Sequence, residues 1–120
     1  MSGELPPQIQ NQLAQLQQLQ QQASAVMTQK TQIEGLIRET EAALKELEKS
    51  ADDAVIYKGV GELLFKADKA KLTEELKEKK DMMDIRLKTM AKQEERIQGR
   101  FTQLQEQLKM SLGQMPPKGG

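Results

Sequence analysis

No cysteine, histidine or tryptophan occurs in the chain, and these absences close off much catalytic chemistry. Without thiols or imidazoles, the usual zinc ligands, thiol nucleophiles and near-neutral general bases are missing, and no disulfide can form. No glycine-rich loop precedes a helix, and Gly59-Val60-Gly61 is a fragment of a phosphate motif in the wrong context. The acidic pairs Glu74-Glu75 and Glu94-Glu95 stand among lysines and arginines, the pattern of solvated helix faces with i,i+4 pairing. The expectation is a protein that is not an enzyme and takes no cofactor or metal.

Aromatic residues are also scarce, at 2% of the chain, and hydrophobic residues make up 37%, too little for a thick globular core. Charge of one sign is not in excess: 18 basic and 18 acidic residues cancel. A general nucleic-acid binder needs a basic surplus or stripe, so no nucleic-acid partner is expected. No apolar run approaches the roughly 18 residues of a membrane span. The start, MSGELPPQIQ, has neither the basic end nor the apolar stretch of a signal peptide. The expectation is a soluble, cytoplasmic chain without a membrane partner.

What is abundant is Gln, Lys, Glu, Leu and Ala, the composition of long helices and coiled coils. A chain of 120 residues suits a single domain. Pro6-Pro7 punctuates the start, where a missing N–H costs nothing. From Ile9 a heptad pattern follows, with Ile9, Leu16, Ala23, Lys30, Ile37, Leu44 and Ala51 at a. Gln12, Leu19, Val26, Ile33, Thr40 and Leu47 then fall at d, so that one seam faces a partner helix. The predicted helix covers residues 8–51 and, at about 1.5 Å per residue, is roughly 65 Å long.

A second predicted helix covers residues 69–112, opened by Asp68 as N-cap. Leu76, Met83, Met90, Ile97 and Leu104 fall at d, and Leu87, Glu94, Phe101 and Leu108 at a. Gly113 and Pro116-Pro117 stop it, leaving a flexible tail over 113–120. Between the helices, residues 54–67 switch to β-branched and aromatic side chains. Gly61-Glu62 fits a two-residue hairpin loop, pairing Val60 with Leu63, Lys58 with Phe65 and Ile56 with Ala67. A linker this short makes the helices antiparallel, and residues whose numbers sum to about 120 lie side by side. Lys30 and Glu94 are then expected within about one helical turn of each other.

Two surfaces carry the functional reading. The hairpin residues Val55, Ile56, Tyr57, Val60, Leu63, Leu64 and Phe65 make both faces of the ribbon partly apolar. A lone hairpin is marginal in water and leaves its edges unpaired. Either it folds back on its own helices or, as the stronger expectation, it joins hairpins of other chains in a sheet or barrel. The second surface gathers at the helix ends far from the hairpin: Leu5, Ile9, Leu13, Leu16, Leu104, Leu108, Met110, Leu112 and Met115. Leucine and methionine adapt to varied partners. The bland alternative is a frayed end with an ordinary share of apolar residues. Met27, Met82 and Ile85 are likewise off the seam but away from that end.

The segment DDAVIYKGVGELLFKADKAKLTEELKEK and the start ELPPQIQNQLAQLQQLQQQ resemble the archaeal prefoldin β-subunit family over nearly the whole chain. Tyr57-Lys58 and Val60-Gly61 match the family's hairpin, and QEERI at 93–97 is the next most specific match. The resemblance implies a mainly α fold, a long antiparallel two-helix coiled coil joined by one β-hairpin that oligomerises into a β-barrel. It further implies a hexamer of two prefoldin α subunits and four β subunits, with the coiled coils hanging from two joined barrels. Such an assembly captures non-native client proteins at its tips without ATP and passes them to a group II chaperonin. An α subunit carries a second hairpin, for which this chain has no sequence. A structural spacer or tether, oligomerised by the hairpin, is the alternative function.

Overall fold

The computed structural model describes residues 5–114. Two helices flank one antiparallel hairpin: α1 over Pro7–Lys49, β1 over Ile56–Val60, β2 over Leu63–Ala67 and α2 over Lys69–Gly113. By packing, the chain divides into two units, one of residues 30–89 and one of residues up to Gln29 together with those from Met90 onward. Each unit therefore contains a stretch of both helices.

Local chemistry accounts for where the elements begin and end. Pro7 stands at the first position of α1, and the Gln10 N–H already donates to the Pro6 carbonyl at 3.0 Å. The Gln10 side-chain amide also reaches back to the Leu5 carbonyl at 2.7 Å. At the far end the Ser50 hydroxyl donates to the Leu47 carbonyl at 2.7 Å, taking up one of the acceptors a helix terminus leaves open. A turn closed by Ala54 N–H to the Ala51 carbonyl follows, at 3.0 Å. Ala51 thus lies past the helix, exposed in the turn and outside the seam. Asp68 caps α2: its Oδ2 accepts the Lys71 N–H at 3.0 Å. The Lys69 ammonium donates to the Ser50 carbonyl at 2.6 Å and lies 3.3 Å from Asp52 Oδ1, tying the exit of α1 to the entry of α2.

In the unit of residues 30–89, Ile33, Ile37, Thr40, Leu47, Leu72 and Met83 are buried. The contact of Lys80 with Glu41 at 3.8 Å and that of Lys69 with Asp52 show the strands of chain running antiparallel. The Thr40 hydroxyl donates to the Leu36 carbonyl at 2.8 Å, so its burial leaves no unmet hydrogen bond. In the other unit Ile9, Gln12 and Leu104 are buried, and Leu16, Leu19, Ala23, Val26, Met90, Ile97, Phe101 and Leu108 are half-buried. The charged seam positions Lys30 and Glu94 are each half-buried in their own unit. Every heptad a or d residue assigned from sequence within α1 and α2 is thus at least half-buried. Each large apolar side chain fully removed from water contributes roughly 1.5–3 kcal/mol, and here that contribution comes from a line of contacts, not a thick core.

Candidate functional site: the hairpin and the helix ends

The hairpin pairs Ile56 with Ala67, Tyr57 with Lys66, Lys58 with Phe65, Gly59 with Leu64 and Val60 with Leu63. This is the register that Gly61-Glu62 predicts. Gly61 has a φ of 60°, and no residue other than glycine has positive φ among those described. Positive φ at the first central residue alone is the type II′ pattern, whose twist matches that of the flanking strands. A side chain at position 61 would meet no neighbouring atom, so the demand for glycine is one of backbone conformation.

In the single chain the hairpin's apolar side chains face water. Val55, Tyr57, Val60, Leu63, Leu64 and Phe65 are all exposed, Leu64 by 73%, and Ile56 is half-buried. The hairpin does not fold back over its helices. Its link to α2 is an exposed ion pair, Lys58 Nζ to Glu75 Oε1 at 2.7 Å, of the kind that contributes about 1 kcal/mol or less. The sheet has two strands, so each strand keeps one edge of unpaired N–H and C=O groups. The arrangement offers both a backbone edge and two apolar faces for another chain.

The second candidate surface lies in the unit that holds the start of α1 and the end of α2. Leu5, Leu13, Met110 and Leu112 are exposed, Met110 by 65%. Leu16 and Leu108 are half-buried. Ile9 and Leu104 are 3% and 5% exposed, so in this conformation they hold the seam and offer nothing to a partner. Met115 lies outside the described residues. A groove beside this seam is lined by Gln15, Gln18, Leu19, Gln22, Arg100 and Leu104.

Two features escaped the sequence reading. Gln12 is 8% exposed in the seam, and its Oε1 has no hydrogen-bond partner among the described residues. Its d position was legible, but the lack of a partner depends on what the other helix presents there. Lys80 occupies a half-buried position, 3.1 Å from Asp84 Oδ2 and 3.8 Å from Glu41 Oε1. The hydrogen bond and charge of Asp84 hold the Lys80 ammonium above its usual 10.5, with Glu41 adding to the effect. Its i,i+4 spacing to Asp84 is a sequence signal, whereas the contact to Glu41 across the seam is not. Off the seam, Met27, Leu36, Met82 and Ile85 are exposed as well.

Among the described residues no group of acidic side chains is arranged to hold a metal ion, and no helix is long and apolar enough to cross a membrane. Comparison with known proteins gives a consistent result. The family model described as "Prefoldin subunit" matches residues 10–115. The prefoldin subunit beta of Methanothrix thermoacetophila is 71% identical over 120 residues, covering 100% of both chains. That of Pyrococcus furiosus is 40% identical over 116 residues, covering 97% of each. The crystal structure of the prefoldin beta subunit from Thermococcus strain KS-1 superposes with a TM-score of 0.83 at 38% identity, covering 97% of this chain and 100% of that one.

Proposed function

The chain belongs to the prefoldin subunit family, and from that membership we propose that it is the β-type subunit of an ATP-independent holding chaperone. The observation that carries this reading is the exposed set Leu5, Leu13, Met110 and Leu112, placed in a different unit from the exposed hairpin. The hairpin assembles the subunit with prefoldin α subunits and further β copies, in an α2β4 hexamer, through strand pairing and burial of Val60, Leu63, Leu64 and Phe65. The helix ends hold non-native proteins in the cytoplasm and pass them to a group II chaperonin.

The physics favours this division. A holding chaperone needs apolar surface that stays open to clients without collapsing on itself. Several weak apolar contacts on one client raise avidity without a tight single site, and a competing chaperonin then releases it with no nucleotide chemistry. The test is aggregation of chemically denatured citrate synthase, followed by light scattering, with the assembled protein present and ATP absent. The expected result is suppression at stoichiometric amounts. A structural spacer oligomerised by its hairpin would leave the scattering unchanged, and that result would favour the tether reading.

A further inference from the structure

We infer that the groove formed by Gln15, Gln18, Gln22 and Arg100 binds the main chain of an extended, non-native polypeptide through its peptide groups. This rests on the reading of the helix ends as the capture site, and names what that site recognises besides apolar side chains. From Leu5 to Gln29 no residue is charged, although charged residues make up 30% of the chain. Glutamine supplies the polarity there instead. Even the first turn of α1, where the helix dipole favours an acid, has none. Gln, Glu and Lys are comparable helix formers, so the helix itself does not require carboxamides in place of charges.

The groove shows what the carboxamides can do. Gln15, Gln18 and Gln22 are exposed on one face of α1 at i, i+3 and i+7, and line it with half-buried Leu19, buried Leu104 and exposed Arg100 of α2. The Gln10 side chain is spent on the Leu5 carbonyl. Those of Gln15, Gln18, Gln22 and Arg100 have no such partner among the described residues. Helix rise sets the three carboxamides about 4.5 and about 6 Å apart along the axis. Alternate residues of an extended chain repeat at about 6.8 Å, a mismatch that the rotatable glutamine side chain takes up.

A peptide group has one N–H donor and a carbonyl that accepts twice. Each carboxamide offers a donor and an acceptor, and Arg100 adds donors only, so the groove complements an uncharged, acceptor-rich main chain. In a native protein nearly all main-chain groups are already paired. The groove therefore selects non-native chains whatever their sequence, whereas a row of glutamates or lysines would sort them by charge. The apolar ends supply the hold and the groove adds the selection, as several weak contacts on one chain.

The test replaces the carboxamides in the assembled protein. Gln15→Met, Gln18→Met and Gln22→Met together keep side-chain length and helix propensity while adding apolar surface. Affinity for reduced, carboxymethylated α-lactalbumin, a permanently unfolded chain, is read by fluorescence anisotropy. It is expected to fall about tenfold or more, since one neutral hydrogen bond is worth about fivefold net of water and three are lost. Capture by apolar contact alone predicts equal or tighter binding, and that result would overturn the inference. Native mass and helical circular dichroism check assembly. Should the triple variant not assemble, Gln18→Met replaces it, with about fivefold weakening expected and no weakening again overturning the inference.

A second readout addresses the main chain directly. A short Gly-Ser-Leu repeat peptide, and the same peptide with its leucine amides N-methylated, compete against labelled α-lactalbumin. Their side chains are identical, so side-chain contact alone treats them alike. The wild type is expected to prefer the unmethylated peptide by about fivefold, and the methionine variant to lose that preference. No preference in a wild type that holds α-lactalbumin would sink main-chain recognition and leave capture standing. A wild type that does not hold α-lactalbumin would end the capture reading, and this inference with it.

Discussion

At Asp68 the chain passes from strand to helix, and one carboxylate makes the change. Its Oδ2 accepts the Lys71 N–H at 3.0 Å, while the Asp68 carbonyl takes the first intrahelical bond, from Leu72 at 2.9 Å. Asp68→Ala keeps the carbonyl's bond to Leu72 and loses the carboxylate's bond to Lys71. The expected cost is about 1 kcal/mol of helix stability, read as faster hydrogen exchange at the Lys71 amide and a lower urea midpoint. Unchanged exchange at Lys71 would mean that the cap contributes nothing. Lys80 shows a different single-residue effect. Asp84 and Glu41 raise its pKa above 10.5, so what this raised pKa contributes to stability is complete below that pH and is lost as pH rises through the folded-state value. At neutral pH the ion cluster is therefore fully charged on the lysine side.

At the level of the element, the hairpin combines a well-specified register with unsatisfied surfaces. The II′ turn at Gly61 and the five pairs from Val60↔Leu63 to Ile56↔Ala67 leave little freedom in how the two strands meet. Yet Val60 and Phe65, each 52% exposed in the single chain, gain little from folding alone. That exposure makes them clean probes of assembly. Val60→Asp or Phe65→Asp should cost the isolated chain little, because the new carboxylate stays in water. In a joined sheet the same carboxylate would be buried without a partner, at a cost of several kcal/mol. Native mass spectrometry is expected to show loss of the oligomer, with helical circular dichroism retained. An intact oligomer would place assembly elsewhere on the chain.

For the whole molecule, the two units divide the proposed work. Residues 30–89 contain the hairpin, and the remaining unit contains the exposed leucines and methionines of the helix ends. Removing residues 1–10 and 109–120 takes away Leu5, Ile9, Met110 and Leu112 while leaving every residue of the hairpin in place. The truncated protein is expected to assemble to the same stoichiometry by native mass and to lose suppression of citrate synthase aggregation. Loss of assembly on truncation would contradict the division of labour. Retained suppression would place capture on residues the truncation spares, with exposed Leu13, Leu36, Met82 and Ile85 the next to substitute.

Much of this architecture was legible in the amino-acid order because it depends on local rules. Heptad spacing marks which side of a helix avoids water, and Gly61-Glu62 between apolar strands sets a two-residue turn and with it the pairing of all ten strand residues. Absence of cysteine and histidine limits chemistry before any folding is considered. Tertiary structure alone decided matters that depend on residues far apart in the chain. It closed the seam over Ile9 and Leu104 while leaving Leu13 and Met110 in water, although all four belong to the apolar set read from sequence. It brought Glu41 to Lys80 and left Gln12 Oε1 without a donor. It also left the hairpin's apolar side chains uncovered by the chain's own helices. A periodic pattern shows which face of a helix is turned inward. How deeply each residue is buried, and what it meets there, depends on the segment packed against it.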